Sequence, residues 1–214
     1  MISFNPTEEQ QMIVSMAKQF ANDEMRKTYR QCDENGEIPD PVVDTAWQMG
    51  LTSSSIPEHY GGPGGEHSAI TGSLIAEELA WGDLSMALHI LSPALFAYPI
   101  VEMGTERQKE KYLPLFCGDK YKAATAALIE PRFGFDPHSL STIARPDGNE
   151  YVLNGEKCYV PVAAAADLFL MYAAENGNGQ AFVIEKGTKG LEVREREKNM
   201  GIRALATYEI GLKS

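Results

Sequence analysis

The chain has 214 residues, 43% of them hydrophobic and 23% charged, and its 30 acidic against 19 basic residues leave a net charge of −11. This is the composition of a soluble globular protein of one or two domains. The acidic balance disfavours nucleic-acid binding, which needs a basic footprint, and Lys/Arg runs that would mark a membrane surface are absent.

No apolar run approaches the roughly 18 to 20 residues of a membrane span, so no membrane insertion is expected. The start "MISFNPTEEQQ" lacks the basic residues and apolar core of a signal peptide. Cys32, Cys117 and Cys158 are odd in number and far apart; they read as reduced thiols of a cytoplasmic protein without metal-ligand spacing. An anionic small molecule stays open, because a few local cations or a helix N-terminus hold a phosphate within an acidic protein.

The first 120 residues carry helical periods. Thr7 and Gln10 form a capping box, and Met12, Ile13, Met16, Ala17 and Phe20 then fall on one face. Asp40 and Pro41 read as N-cap and first helical position ahead of Val43, Ala46 and Trp47, with Gly50 as the stop. "IPEHYGGPGGEHS" (56–68) is loop, and "AITGSLIAEELAW" resumes the helical pattern. Asp83 caps the next helix, Pro93 interrupts it or starts another, and Gly104 closes the pair. Thr105 and Gln108 make a second capping box, giving five or six helices in all.

After Lys120 the period shortens. "AATAALI" reads as a strand buried on both faces. "YVLNGEKCYV" reads as two strands joined by a type I′ turn at Asn154–Gly155. "DLFLMYAA", the turn "NGNG" (176–179) and "QAFVIE" form another hairpin; "GLEVRERE" and "TYEIGL" supply further strands, the last with Tyr208, Ile210 and Leu212 on one face. The expected fold is therefore α+β and multidomain, an all-α helical domain at 1–120 followed by an all-β barrel domain at 121–214. The final strand runs to Lys213–Ser214 without a cap, and an open sheet edge there implies either a cover outside this chain or a chain that has been cut.

Chemistry-bearing residues are sparse. Glu77 and Glu78 are neighbours on a helix and point about 100° apart, a poor carboxylate pair. Glu130 reads either as a catalytic acid or base or as a carboxylate fixing the turn that Asp136 also serves. His59, His67, His89 and His138 show no ligand spacing, and no metal site is expected. No Ser–His–Asp or Cys–His constellation appears, and "GGPGG" lacks the Lys and strand of a phosphate loop. Tyr159 either stacks on a flat ligand or packs the barrel.

Eight segments taken in order resemble the acyl-CoA dehydrogenase family of flavoproteins: "IPEHYGGPGG", "EELAWGDLS", "GTERQKEKYLPLFCGD", "ALIEPRFGFD", "YVLNGEKCYV", "AADLFLMYA", "AFVIEKGTKGLEV" and "KNMGIRALATYEI". The resemblance implies a helical domain, a middle β-barrel and a C-terminal helical domain, the last absent from this chain. It implies α,β-dehydrogenation of an acyl-CoA thioester with FAD in fatty acid metabolism. It implies homo- or hetero-oligomers with similar subunits and an electron-transfer flavoprotein as partner. The family's catalytic base lies in the absent domain, so no catalytic residue is expected here.

Carried over position by position, the family's Leu-Thr-Glu-Pro turn places Ile129 where a Thr hydroxyl bonds the flavin, with backbone groups of Ala126 and Leu128 beside it. Its Gly-Ser-Asp near the CoA arm becomes Gly134, Phe135 and Asp136. Its Trp-Ile-Thr flanking the flavin becomes Tyr159, Val160 and Pro161, and Pro161 has neither hydroxyl nor N–H. Three hydrogen-bonding handles are thus Ile, Phe and Pro. At about 0.5–1.5 kcal/mol each, their absence weakens FAD binding roughly 10- to 1000-fold. Beside the enzyme reading stand two others: a degenerate, non-flavin-binding subunit of a hetero-oligomeric dehydrogenase, and a repurposed interaction module.

Overall fold

Thr7 accepts the Gln10 N–H and Gln10 returns a side-chain bond to the Thr7 N–H, a complete capping box that starts helix α1 (Glu8–Phe20). The computed structural model describes residues 5–65 and 67–213; Ser214, at the expected strand end, lies outside them. A five-residue π turn (Ala21–Met25) leads into α2 (Arg26–Asn35), which Gly36 ends at φ +73°. Then come α3 (Asp40–Gln48), α4 (Ala69–Gly82), α5 (Leu84–Leu91), α6 (Ala94–Met103) and α7 (Glu106–Tyr112). That is seven α-helices among the described residues, more than the five or six expected, because α2 continues the chain beyond the π turn where no helix was read.

The strands are β1 (Ala124–Ala127), β2 (Ile143–Asp147), β3 (Glu150–Pro161), β4 (Leu168–Glu175), β5 (Asn178–Glu185), β6 (Leu191–Arg196) and β7 (Thr207–Leu212). They form one mixed, curled half-barrel sheet in the order β1-β4-β2-β3-β7-β6, with β5 also paired to β4. β1 and β2 run parallel to β4; the other pairs are antiparallel. A helical region followed by this sheet is the fold class read from the periods.

The chain divides into two compact units. One comprises the chain through Leu91 with Cys117–Tyr121 and Met200–Leu205. Its core gathers Phe20, Met25, Val42, Leu79, Met86 and Ile90. Gly82 lets α4 close on the π turn, since a Cβ there would stand 2.9 Å from the Ala21 Cβ. Arg203 clips Met200–Leu205 to α2, donating from Nε and Nη2 to Asp33 Oδ2 at 3.0 and 2.7 Å.

The other unit comprises Ser92–Phe116, Lys122–Asn199 and the chain from Ala206. Here α6 packs on β1 and β4, and Phe96 meets Tyr112 and Phe116 with ring centroids 5.7 Å apart. The sheet core holds Ala127, Val160, Phe169, Met171, Ile210 and Leu212, with Tyr208 packed against it.

Several expectations need correction. Met12 and Met16 are exposed, at 68% and 53%, while Ala17 and Phe20 alone of that predicted face are buried. α3 begins at Asp40 with Pro39 as its N-cap, so Pro41 stands one position later than expected. The stretch Leu84–Met103 does reach the length and hydropathy of a membrane span, with mean hydropathy 1.6, though half of that window is buried inside the fold; the Ser92–Pro93 pair and Pro99 break the run in a reading by eye.

The largest correction concerns Asn154–Gly155, which is no turn. β3 is continuous from Glu150 to Pro161. The chain reverses instead at Gly148–Asn149, between Asp147 and Glu150. Gly155 marks where β3 changes partner, Asn154 pairing with Ile143 of β2 and Gly155 with Leu212 of β7. A Cβ at Gly155 would lie 2.6 Å from the Thr142 Cα, so the crossing requires glycine.

Candidate functional site

β1 ends at Ala127 and the chain turns through Leu128, Ile129 and Glu130 before the loop 131–140. The Ile129 carbonyl accepts the Cys158 N–H at 3.0 Å, which sets this turn beside β3. On the outer side Ile129 is 41% and Tyr159 57% exposed. Tyr159 sits at φ +53°, within the bulge that interrupts β3–β7 pairing between Lys157 and Val160. Left-handed backbone at an aromatic residue is uncommon and turns that residue out of the strand's regular alternation. The result is an apolar, partly aromatic surface made by one turn and one bulge.

Behind that surface lies a buried ion pair. The Glu130 side chain is 3% exposed and the Lys157 side chain 0%, and Lys157 Nζ donates to Glu130 Oε1 at 3.0 Å. Glu130 also accepts the Ser141 and Thr142 N–H groups, each at 2.7 Å, and Arg132 Nε stands 3.5 Å away. Burial alone would raise the Glu130 carboxyl; these donors, the Ser141 and Thr142 N–H groups foremost and Lys157 with them, outweigh it and bring it to about 2. Burial lowers the Lys157 ammonium, with Glu130 opposing that shift. The second acceptor of Lys157 is the Leu128 carbonyl, at 3.1 Å. Glu130 is therefore a turn-fixing carboxylate, and Asp136 serves elsewhere, accepting the His138 N–H at 2.9 Å.

The remaining expected residues fall as follows. Ala126 lies half-buried in β1 opposite Leu170. Val160 is buried in the sheet core and pairs with Tyr208, and Pro161 pairs with Thr207. Gly134, at φ +63°, and half-buried Phe135 lie out on the loop 131–140. Arg132 holds that loop through the Ser139 carbonyl, and Phe133 projects fully from it. Glu77 is exposed and Glu78 half-buried on α4, and His89 is half-buried in the helical unit, where desolvation lowers it to about 4.

Two residues escaped the sequence reading. Lys157 shares a strand face with Leu153 and Gly155, a parity that points a lysine into the core and demands a buried acceptor. Glu197 takes the Tyr159 N–H with both carboxylate oxygens, at 3.2 and 3.1 Å; it reaches Tyr159 through the β3-β7-β6 order, which no local pattern announces.

As a seat for the ring of FAD the surface offers exposed apolar and aromatic side chains but lacks the expected hydrogen-bonding handles. Tyr159 and Ile129 are both exposed. Ile129 brings no hydroxyl and Pro161 no N–H, while the Leu128 carbonyl and Tyr159 N–H already serve Lys157 and Glu197.

Residues 7–120 match the family model for the acyl-CoA dehydrogenase N-terminal domain, and residues 125–214 that for the acyl-CoA dehydrogenase middle domain. The chain is 32% identical over 217 residues to a probable medium-chain specific acyl-CoA dehydrogenase 2, mitochondrial, of Caenorhabditis briggsae, covering 98% of this chain and 52% of that protein. Butyryl-CoA dehydrogenase from Megasphaera elsdenii aligns with a TM-score of 0.85 at 31% identity, over 99% of this chain and 57% of that one. An acyl-CoA dehydrogenase from Bacillus anthracis, complexed with FAD, aligns with a TM-score of 0.82 at 31% identity, over 100% of this chain and 37% of that one. The chain thus spans about half the length of the curated relatives it matches.

Proposed function

The chain belongs to the acyl-CoA dehydrogenase family, and we propose that it is the helical and sheet portion of an FAD-dependent dehydrogenase of acyl-CoA thioesters. FAD supplies the hydride acceptor for α,β-dehydrogenation when bound. This chain contributes a wall for the ring at Ile129 and Tyr159, with main-chain support from Ala126, Leu128, Val160 and Pro161, and the loop of Gly134 and Phe135 toward the CoA arm. The proton-abstracting base and most polar contacts to FAD come from further chain or from a partner subunit, and electrons leave to an electron-transfer flavoprotein.

The observation that supports this reading is the meeting of the Leu128–Glu130 turn with exposed Tyr159, in a chain that matches two family domains in order. A second reading, a subunit that shapes the acyl pocket without holding flavin, is favoured by one specific feature. Ile129 has no hydrogen-bonding side chain, Pro161 has no N–H, and the Leu128 carbonyl and Tyr159 N–H are engaged by Lys157 and Glu197.

Co-expression with acyl-CoA dehydrogenase-type subunits of the same source, followed by a flavin-to-chain ratio and acyl-CoA-dependent loss of flavin absorbance, separates the two. Flavin on this chain supports the first reading, and flavin confined to the partner supports the second. No turnover in any pairing removes both.

A further inference from the structure

We infer that Lys157 and Glu130 are positioning residues whose buried charge pair sets the main chain of the Ile129–Tyr159 wall; this rests on the reading that a flat ring lies there. A lysine with a fully buried side chain in a sheet core is costly to desolvate, and apolar replacement of buried ion pairs is often neutral or stabilising. Stability alone is thus a weak reason for an ammonium here, whereas its bonds specify a geometry.

Lys157 Nζ holds the Leu128 carbonyl at 3.1 Å, and the next residue of its own strand, Cys158, holds the Ile129 carbonyl at 3.0 Å. Two successive carbonyls of the turn are turned inward by two successive residues of β3. Ile129 and the residue after Cys158, Tyr159, are left exposed on the other side. Glu130 completes the arrangement by tying the same ammonium to the Ser141 and Thr142 N–H groups, where β2 begins.

The pair therefore fixes three chain segments at one point, independently of any side-chain handle facing the ligand. In a wall that has Ile129 and Pro161 at its handle positions, shape has to be supplied from behind. A preorganised surface binds a rigid ring with less ordering cost than a mobile one.

The test uses the full chain, co-expressed with its partner subunit where one is needed, and compares K157M, E130Q and K157M/E130Q with the parent. Two readouts are taken: amide hydrogen exchange at Cys158, Ser141 and Thr142, and FAD affinity from flavin fluorescence. Displacement of such a wall weakens ring binding on the order of 10- to 100-fold. K157M is expected to show that loss together with faster exchange at the three amides, at an unfolding midpoint that K157M/E130Q largely restores. If K157M does not fold, the double variant, which leaves no buried charge, carries the comparison. Parent-like exchange and parent-like FAD affinity in a folded variant overturn the inference. If the parent itself takes up no FAD, the family reading of this wall fails, while the exchange measurements still decide whether the pair positions the turn.

Discussion

Glu130 carries the sharpest pH signature in the molecule. Its carboxyl lies near 2 rather than the ordinary 4.5 because buried N–H donors and Lys157 favour the ionised form over the cost of burial. A carboxyl lowered by folding stabilises above its unfolded value and loses that contribution as pH falls through its folded value. The window is therefore pH 4.5 down to 2, and the contribution is about 3 kcal/mol. Urea unfolding of parent and E130Q across that window is expected to show a gap that closes on acidification; a constant gap contradicts the ionised pair. Thr125 gives the opposite case. Its hydroxyl is fully buried in β1 and, among the described residues, has no hydrogen-bond partner. Thr125→Val keeps the shape and removes an unsatisfied group, so a gain of about 1 kcal/mol is expected, and a loss in the unfolding midpoint would mean that the hydroxyl has work to do.

Among the elements, β3 decides the sheet, since it pairs with β2 before Gly155 and with β7 from Gly155 on. Gly155→Ala places a Cβ 2.6 Å from the Thr142 backbone, where no rotamer change relieves it. A loss of about 2–3 kcal/mol is expected, read as a lower unfolding midpoint, whereas Gly177→Ala, in the turn with open space around it, serves as the control for glycine removal at positive φ. The same glycine shows where local reading stops. Asn-Gly between β-rich runs is a strong hairpin signal, yet a strand that passes between two partners needs the same flexibility. Only the long-range pairing distinguishes them. β2 was missed because Ile143 is partly exposed and Pro146 breaks the pattern, leaving Ala144 as its buried residue. By contrast, both capping boxes and the β4–β5 hairpin at Asn176–Gly177 were legible, since those signals act within a few residues. The site divides likewise. Ile129, Tyr159 and Pro161 were proposed from the resemblance and the Glu130 turn from its sequence neighbours, while Lys157 and Glu197 act across 27 and 38 residues.

For the whole molecule the governing quantity is charge. The mean field of a chain of net charge −11 opposes a ligand that carries a diphosphate, such as the proposed FAD. Close to the wall, Arg132 is engaged by the Ser139 carbonyl and Lys157 is buried. If this chain supplies only the apolar face for the ring, these two cations do not offset that field, and screening must help. Raising ionic strength from about 0.01 to 0.1 M shortens the Debye length from about 30 to 10 Å, and FAD affinity of the chain alone is expected to rise with salt. Direct pairing of the diphosphate by Lys or Arg gives the reverse, because salt weakens contact ion pairs. The same titration on the chain joined to a partner subunit then shows who holds the diphosphate: a slope that changes sign on assembly assigns the cations to the partner. A slope that is negative already in the chain alone places them on this polypeptide, and would leave the degenerate-subunit reading without support.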